Sequence, residues 1–149
     1  MREIVSYLKE RGVEHLVHFT PISNLEGIRR HGIVPRLELE QCGDTEFKAL
    51  DDMRLDSGKH MSCFSLSFPN FQMMYRYRKL LQEDGDDIAV LFIGIGCLAR
   101  LSIDRVRFYP SNAASHECRE IEEGDLMGME AVRRMFSERG QTRFGCDVS

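Results

Sequence analysis

The stretch that most constrains this chain is a strand-to-helix junction near its start: His15-Leu16-Val17-His18-Phe19-Thr20-Pro21-Ile22-Ser23-Asn24-Leu25-Glu26-Gly27-Ile28-Arg29-Arg30-His31-Gly32-Ile33. Leu16, Val17 and Phe19 make a short apolar run of strand character. Thr20-Pro21 ends it, because proline biases its predecessor away from the helical region. Ser23 with Glu26 three residues on has the spacing of a capping box, and Leu25 and Ile28, with Ile22, fall on one helical face. Gly32 follows Arg29, Arg30 and His31 and reads as a glycine stop after a basic last turn. The spacing therefore predicts a strand over 15–20 and a helix over 23–31. His18 and Thr20 leave the strand end and Asn24 lies in the first helical turn, where backbone N–H groups favour phosphate.

The rest of the chain is read around that junction. At 149 residues it is expected to be one domain, and 42% hydrophobic content suffices for a core. Residues 1–11 read as a helix carrying Ile4, Val5 and Leu8 on one face, stopped by Gly12. Residues 33–35 read as a short extended piece and 36–60 as a long loop with one helical turn over 37–41. Residues 61–68 alternate as a strand, with Ser62, Phe64, Leu66 and Phe68 on one face and Cys63, Ser65 and Ser67 on the other. Residues 71–82 read as a helix with Met73, Met74, Tyr77, Leu80 and Leu81 inward. The run 88–95 is the most apolar and is expected to be a central strand. A helical turn over 97–101, a strand over 106–109 ended by Pro110, a polar loop over 111–124 and a helix over 125–139 follow. Short strands with helices between them, without regular β-α-β spacing, argue for an α+β fold.

Charge and cysteine usage exclude several classes. The formal net charge of −4 gives no global positive field for nucleic acid. Local cation clusters remain at Arg76, Arg78 and Lys79 and at Arg29 and Arg30. No run approaches the roughly 18 apolar residues of a membrane span, and the N-terminus lacks the apolar core of a secretory signal. The five cysteines are scattered with no C-x-x-C pair, which suits a reducing compartment. The expectation is a cytoplasmic protein with no membrane association and no metal.

Three ordered blocks carry a resemblance. The His-Phe-Thr-x-x-x-Asn-Leu-x-x-Ile-x-x-x-Gly stretch beginning at His18 resembles the opening of the DarT-type DNA ADP-ribosyltransferases. Arg54-Leu55-Asp56, followed by Ser65-Leu66-Ser67-Phe68-Pro69-Asn70-Phe71-Gln72-Met73-Met74-Tyr75, is similar to the family's second block, and Asn112-Ala113-Ala114-Ser115 to its third. The resemblance implies an ADP-ribosyltransferase-like fold of two small packed sheets with an NAD cleft. It implies NAD-consuming modification of bases in single-stranded DNA by a toxin opposed by a macrodomain antitoxin. Two departures accompany it. Asn70 stands where family members carry an arginine soon after the proline. The family's closing segment of Pro-Thr-Asp-Pro-Gln-Ala-Glu type, whose glutamate is catalytic, is expected where residues 144–149 end the chain, so the resemblance implies a C-terminally incomplete copy with impaired transfer. The catalytic group is then unknown.

Each candidate has a plain reading beside the functional one. His18 is a ribose contact through the resemblance and a satisfied strand-edge histidine on its own. Thr20 is a cleft hydroxyl or a β-propensity residue, and Asn24 a phosphate or ribose ligand or a first-turn residue. Ser65 and Ser67, at period two, resemble the small polar strand at the floor of NAD clefts and equally read as a solvated face. Asn70 is the remaining NAD-binding candidate. Arg54, Arg76 and Arg78 are the candidate catalytic cations, each equally a solvated charge. Tyr75, Arg76 and Arg78 are the candidate DNA contacts, since exposed aromatics stack on bases. Glu120, Glu122 and Glu123 are the in-chain carboxylates that would replace the family glutamate. The alternatives are a non-catalytic NAD- or DNA-binding domain and an RNA 2′-phosphotransferase-like enzyme.

Overall fold

The computed structural model describes residues 1–43, 46–50 and 60–137. In chain order the elements are α1 (Arg2–Glu10), β1 (His15–Pro21), α2 (Leu25–His31), α3 (Arg36–Cys42), β2 (Ser65–Leu66), α4 (Phe71–Glu83), β3 (Ile88–Gly94), α5 (His116–Arg119) and α6 (Gly128–Met135), with short 3-10 turns between them. The mixed helix-and-strand reading holds. Arg54-Leu55-Asp56 and residues 144–149 lie outside the described residues, so the second block's first part and the chain end have no structural account. The residues cluster into two compact units: Met1–Gly12 with the chain after Ile95, and Val13–Ile95.

In the first unit α1 buries Ile4, Val5 and Leu8 and packs on α6, which buries Ala131 and Val132. Tyr7 meets Phe136 edge-to-face at 5.9 Å, and the Arg11 guanidinium lies over both rings. Residues 106–109 join no ladder among the described residues. Phe108 is buried and its N–H donates to Leu126 O at 2.8 Å. The expected strand there is thus one extended contact. The expected loop over 111–124 contains α5, started by Ser115, whose Oγ accepts from Cys118 N–H. The last helix starts later than its apolar periodicity suggests. Leu126 sits in a 3-10 turn, and α6 begins only at Gly128, whose φ is +78°.

The second unit is built on a three-stranded antiparallel sheet in the order β2-β1-β3. Among the described residues the centre is therefore not the expected one. β1 is central, and the more apolar β3 is an edge among the described residues. The register runs from His15–Gly94 to Pro21–Ile88 on one side of β1 and includes Leu16–Leu66 and Val17–Ser65 on the other. Pro21 costs the sheet no bond, because its position faces the β2 side, beyond the end of that short strand. One sheet face carries Leu16, His18, Thr20, Leu66, Ala89 and Leu91; the other carries Val17, Phe19, Ser65, Val90 and Phe92. The helix α4 lies over the second face, with Tyr77 against Phe19 at 6.4 Å between ring centres. A second sheet, which the resemblance implied, is not found among the described residues.

The expected strand over 61–68 shortens to Ser65–Leu66 for a local reason. Ser67 has φ +60°, and Phe68 N–H bonds back to Leu66 O at 2.6 Å. This is a γ-turn of the strained, positive-φ hand. It leaves Phe68 70% exposed, where the alternating pattern had turned it inward. Leu80, read as inward on α4, is also exposed, while Leu81 is buried.

Candidate functional site

The junction after β1 folds differently from a capping box. Its first turn is 3-10 (Ile22–Asn24), and α2 begins at Leu25 with no side-chain cap. Ser23 Oγ instead donates to Asp86 Oδ2 at 2.7 Å, which holds the Asp86 carboxyl below the usual range. Glu26 is taken by Arg29 and Arg30 at 3.0 and 2.9 Å. Gly32 ends the helix as read, at φ +79° and ψ −172°.

Asn24 is drawn away from the helix start by a clasp. Its Nδ2 donates to Thr20 Oγ1 at 3.1 Å and to Lys48 O at 2.9 Å, and its Oδ1 accepts from Lys48 N–H at 2.8 Å. The Lys48 amide fixes which way the side chain points, because the oxygen must face the N–H. Both amide donors are thereby used. Lys48 Nζ also reaches Asp84 Oδ2 at 2.8 Å, at the C-terminal end of α4. The β1–α2 turn, residues 46–50 and the α4–β3 turn are thus tied together by Ser23–Asp86, Asn24–Lys48 and Lys48–Asp84. Asn24 holds the local backbone, with no donor left for a phosphate.

His18 stands two residues before Thr20 on the same sheet face. Its Nδ1 lies 2.9 Å from Cys63 O. A carbonyl only accepts, so Nδ1 carries the proton and neutral His18 presents Nε2 as an acceptor. Burial pushes the imidazole pKa below its usual value, opposed by the bond to Cys63. Among the described residues no side-chain nitrogen or oxygen is buried without a partner. Nε2 has no protein partner among them and is not fully buried. Beside it stands Phe64, 5.5 Å from the imidazole between ring centres and 40% exposed. Sequence reading assigned Phe64 to an apolar strand face and gave it no role. Its position opposite His18 follows from the β1–β2 register, which no pattern in the sequence reports.

The remaining candidates separate. His18, Thr20 and Asn24 come together. Ser65 pairs with Val17 and so faces the opposite side of the sheet from His18. Ser67 lies in the γ-turn, with its N–H on His15 O, so the two serines do not form one polar strand face. Asn70 caps α4, its Oδ1 accepting from Met73 N–H at 3.3 Å. Arg78 is held by Asp87 through a two-point pair at 2.8 and 3.0 Å. Tyr75 and Arg76 are exposed on α4, with Lys79 Nζ 4.8 Å from the Tyr75 ring centre. That helix lies over the Phe19 face, across the sheet from His18. Asn112 Oδ1 accepts from Ala114 N–H, which makes the third block a side-chain-stabilised turn into α5. Arg54 lies outside the described residues. Among the described residues no group of three or more His, Cys, Asp or Glu is placed to hold a metal ion, and no helix is long and apolar enough to cross a membrane.

The chain matches no protein-family profile and no curated protein.

Proposed function

We propose that the chain binds NAD at the His18–Phe64 side of the sheet and transfers its ADP-ribose to bases of single-stranded DNA, as the DarT-type resemblance implies. The observation that carries this reading is the His18 geometry: an imidazole anchored through Nδ1, with Nε2 an acceptor unpartnered among the described residues, beside a half-exposed aromatic ring. That combination suits a nucleoside, whose ribose hydroxyl donates to Nε2 while a flat ring stacks on Phe64. The Asn24 clasp keeps the adjoining turn rigid, which is what positioning a reactive glycosidic bond requires.

In the transfer, the bond between nicotinamide and ribose breaks and the bonding pair leaves with nicotinamide. A base nitrogen attacks the resulting oxocarbenium-like carbon and then loses its proton. Such a centre calls for a carboxylate to steady the positive charge. Glu120, Glu122 and Glu123, the in-chain candidates, are all exposed. Tyr75 and Arg76, with Lys79 beside them, lie across the sheet from His18, so they would hold the DNA strand away from the reacting base, and a macrodomain antitoxin would be the partner that removes the mark. The 2′-phosphotransferase reading needs several unpaired arginines around one phosphate. Arg29, Arg30, Arg36, Arg78 and Arg107 are all in ion pairs.

Incubation with labelled NAD and either single-stranded DNA or 2′-phosphorylated RNA tests the reading. Weak label on the DNA, lost in His18→Ala, is expected. Binding of NAD without label on either nucleic acid would instead identify a non-catalytic binding domain. Loss of phosphate from the RNA would identify the phosphotransferase.

A further inference from the structure

The outer edge of β3 has the properties of a strand that pairs again. Ile95 N–H donates to Glu14 O and Ile22 N–H to Asp87 O. With the register fixed, alternation makes 16–93, 18–91 and 20–89 the hydrogen-bonded pairs between β1 and β3. Val90 and Phe92 therefore direct their N–H and C=O groups away from β1, and nothing among the described residues pairs with them. Edge strands are ordinarily protected by lysine, proline or a bulge. The seven residues of β3, Ile-Ala-Val-Leu-Phe-Ile-Gly, contain no charge and no proline and keep an unbroken register. Phe92 is 59% exposed, its ring edge-to-face with that of His15 at 6.0 Å between centres.

We propose that this edge pairs with β3 of a second copy of the chain, antiparallel about a two-fold axis at Leu91, so that the two sheets become one. The sequence of β3 suits this occupant. An axis at Leu91 pairs all seven residues. It sets each outward-bonding Val90 opposite Phe92 of the second copy, so that both N–H···O bonds of each pair can form. It also packs the exposed phenyl ring on a β-branched side chain, a favoured cross-strand combination. Asp86 and Asp87 precede each β3, and the antiparallel operation places them at opposite ends of the paired strands. A parallel arrangement would set acid on acid. The contact is the same patch on both copies, as a closed dimer requires.

The test is sedimentation of the full chain over a range of concentrations. A dimer is expected, and Phe92→Lys, at an exposed position, is expected to weaken it at least tenfold with unchanged circular dichroism. Leu91 faces its own copy across a non-hydrogen-bonded pair, where Cα atoms lie about 4.5 Å apart, within disulfide reach. Leu91→Cys should therefore form an intermolecular disulfide above the wild-type cysteine background. Ala89→Cys, which faces Ile93 of the second copy, should not. Amide exchange needs no variant: Val90 and Phe92 should become more protected as concentration rises. The proposal is overturned by a monomer at every concentration, by a dimer indifferent to Phe92→Lys, or by cross-linking at Ala89→Cys in place of Leu91→Cys. Protection of Val90 and Phe92 that does not depend on concentration would also overturn it, by showing that the chain covers its own edge.

Discussion

Removal of the Asn24 side chain tests the clasp that shapes the candidate site. Asn24→Ala deletes the bonds to Thr20 Oγ1, Lys48 O and Lys48 N–H, at 3.1, 2.9 and 2.8 Å. A typical intramolecular hydrogen bond contributes about 1 kcal/mol net, and a buried group left unpaired costs more. Thr20 is 5% exposed, so its hydroxyl loses a partner in a place water reaches poorly. The half-buried Lys48 backbone can be rehydrated if residues 46–50 lift away, which limits the loss on that side. Together these place the destabilisation at about 2–3 kcal/mol in urea unfolding. Thr20→Val removes the acceptor of one of these bonds, and a double-mutant cycle with Asn24→Ala should give a coupling of about 0.5–1.5 kcal/mol. Amide exchange adds a local readout, since the Lys48 N–H should lose protection in Asn24→Ala. A stability change under about 0.5 kcal/mol, the range of an ordinary surface substitution, with Lys48 exchange unaltered would refute the clasp.

Three further outcomes are expected. His18 stays neutral in the folded chain at pH values where the unfolded chain protonates it, so the unfolded state binds more protons below the usual 6.5. Unfolding free energy should therefore fall as pH drops from that value toward the depressed native one, and His18→Gln should remove this part of the pH profile. Gly32 has φ +79° and ψ −172°, a region open almost only to glycine, and an added Cβ would meet nothing within 4 Å. Gly32→Ala should thus cost about 1–3 kcal/mol from backbone strain alone, read by urea unfolding. Leu8 is fully buried in the first unit, and Leu8→Ala should cost about 2–5 kcal/mol by the same assay.

The elements that were legible in sequence were those fixed by local chemistry. Gly12 and Gly32 stop their helices, Ile4, Val5 and Leu8 form the buried stripe of α1, and helix α4 runs close to its expected bounds. What depended on distant partners was not legible. Ser23 and Glu26 have capping-box spacing, but Asp86 and the two arginines compete for them, and no local pattern reports a residue more than sixty positions away. The apolar richness of β3 suggested a central strand. Sheet order is set by which strand both neighbours can pair with, and that is β1. Ser65 and Ser67 share a parity in sequence, yet the γ-turn at Ser67 breaks the alternation between them. At the site, the proximity of His18, Thr20 and Asn24 followed from the strand end and first turn. The clasp on Lys48 and the neighbour Phe64 follow only from tertiary register.

Calorimetric titration of the chain with a non-hydrolysable NAD analogue tests the functional account most directly, run in parallel on wild type and His18→Ala. The account predicts saturable heat for the wild type and its loss in His18→Ala, with circular dichroism and urea midpoint showing that the variant remains folded. No heat from the wild type at millimolar analogue, or equal binding by the two proteins, would contradict an NAD site at His18.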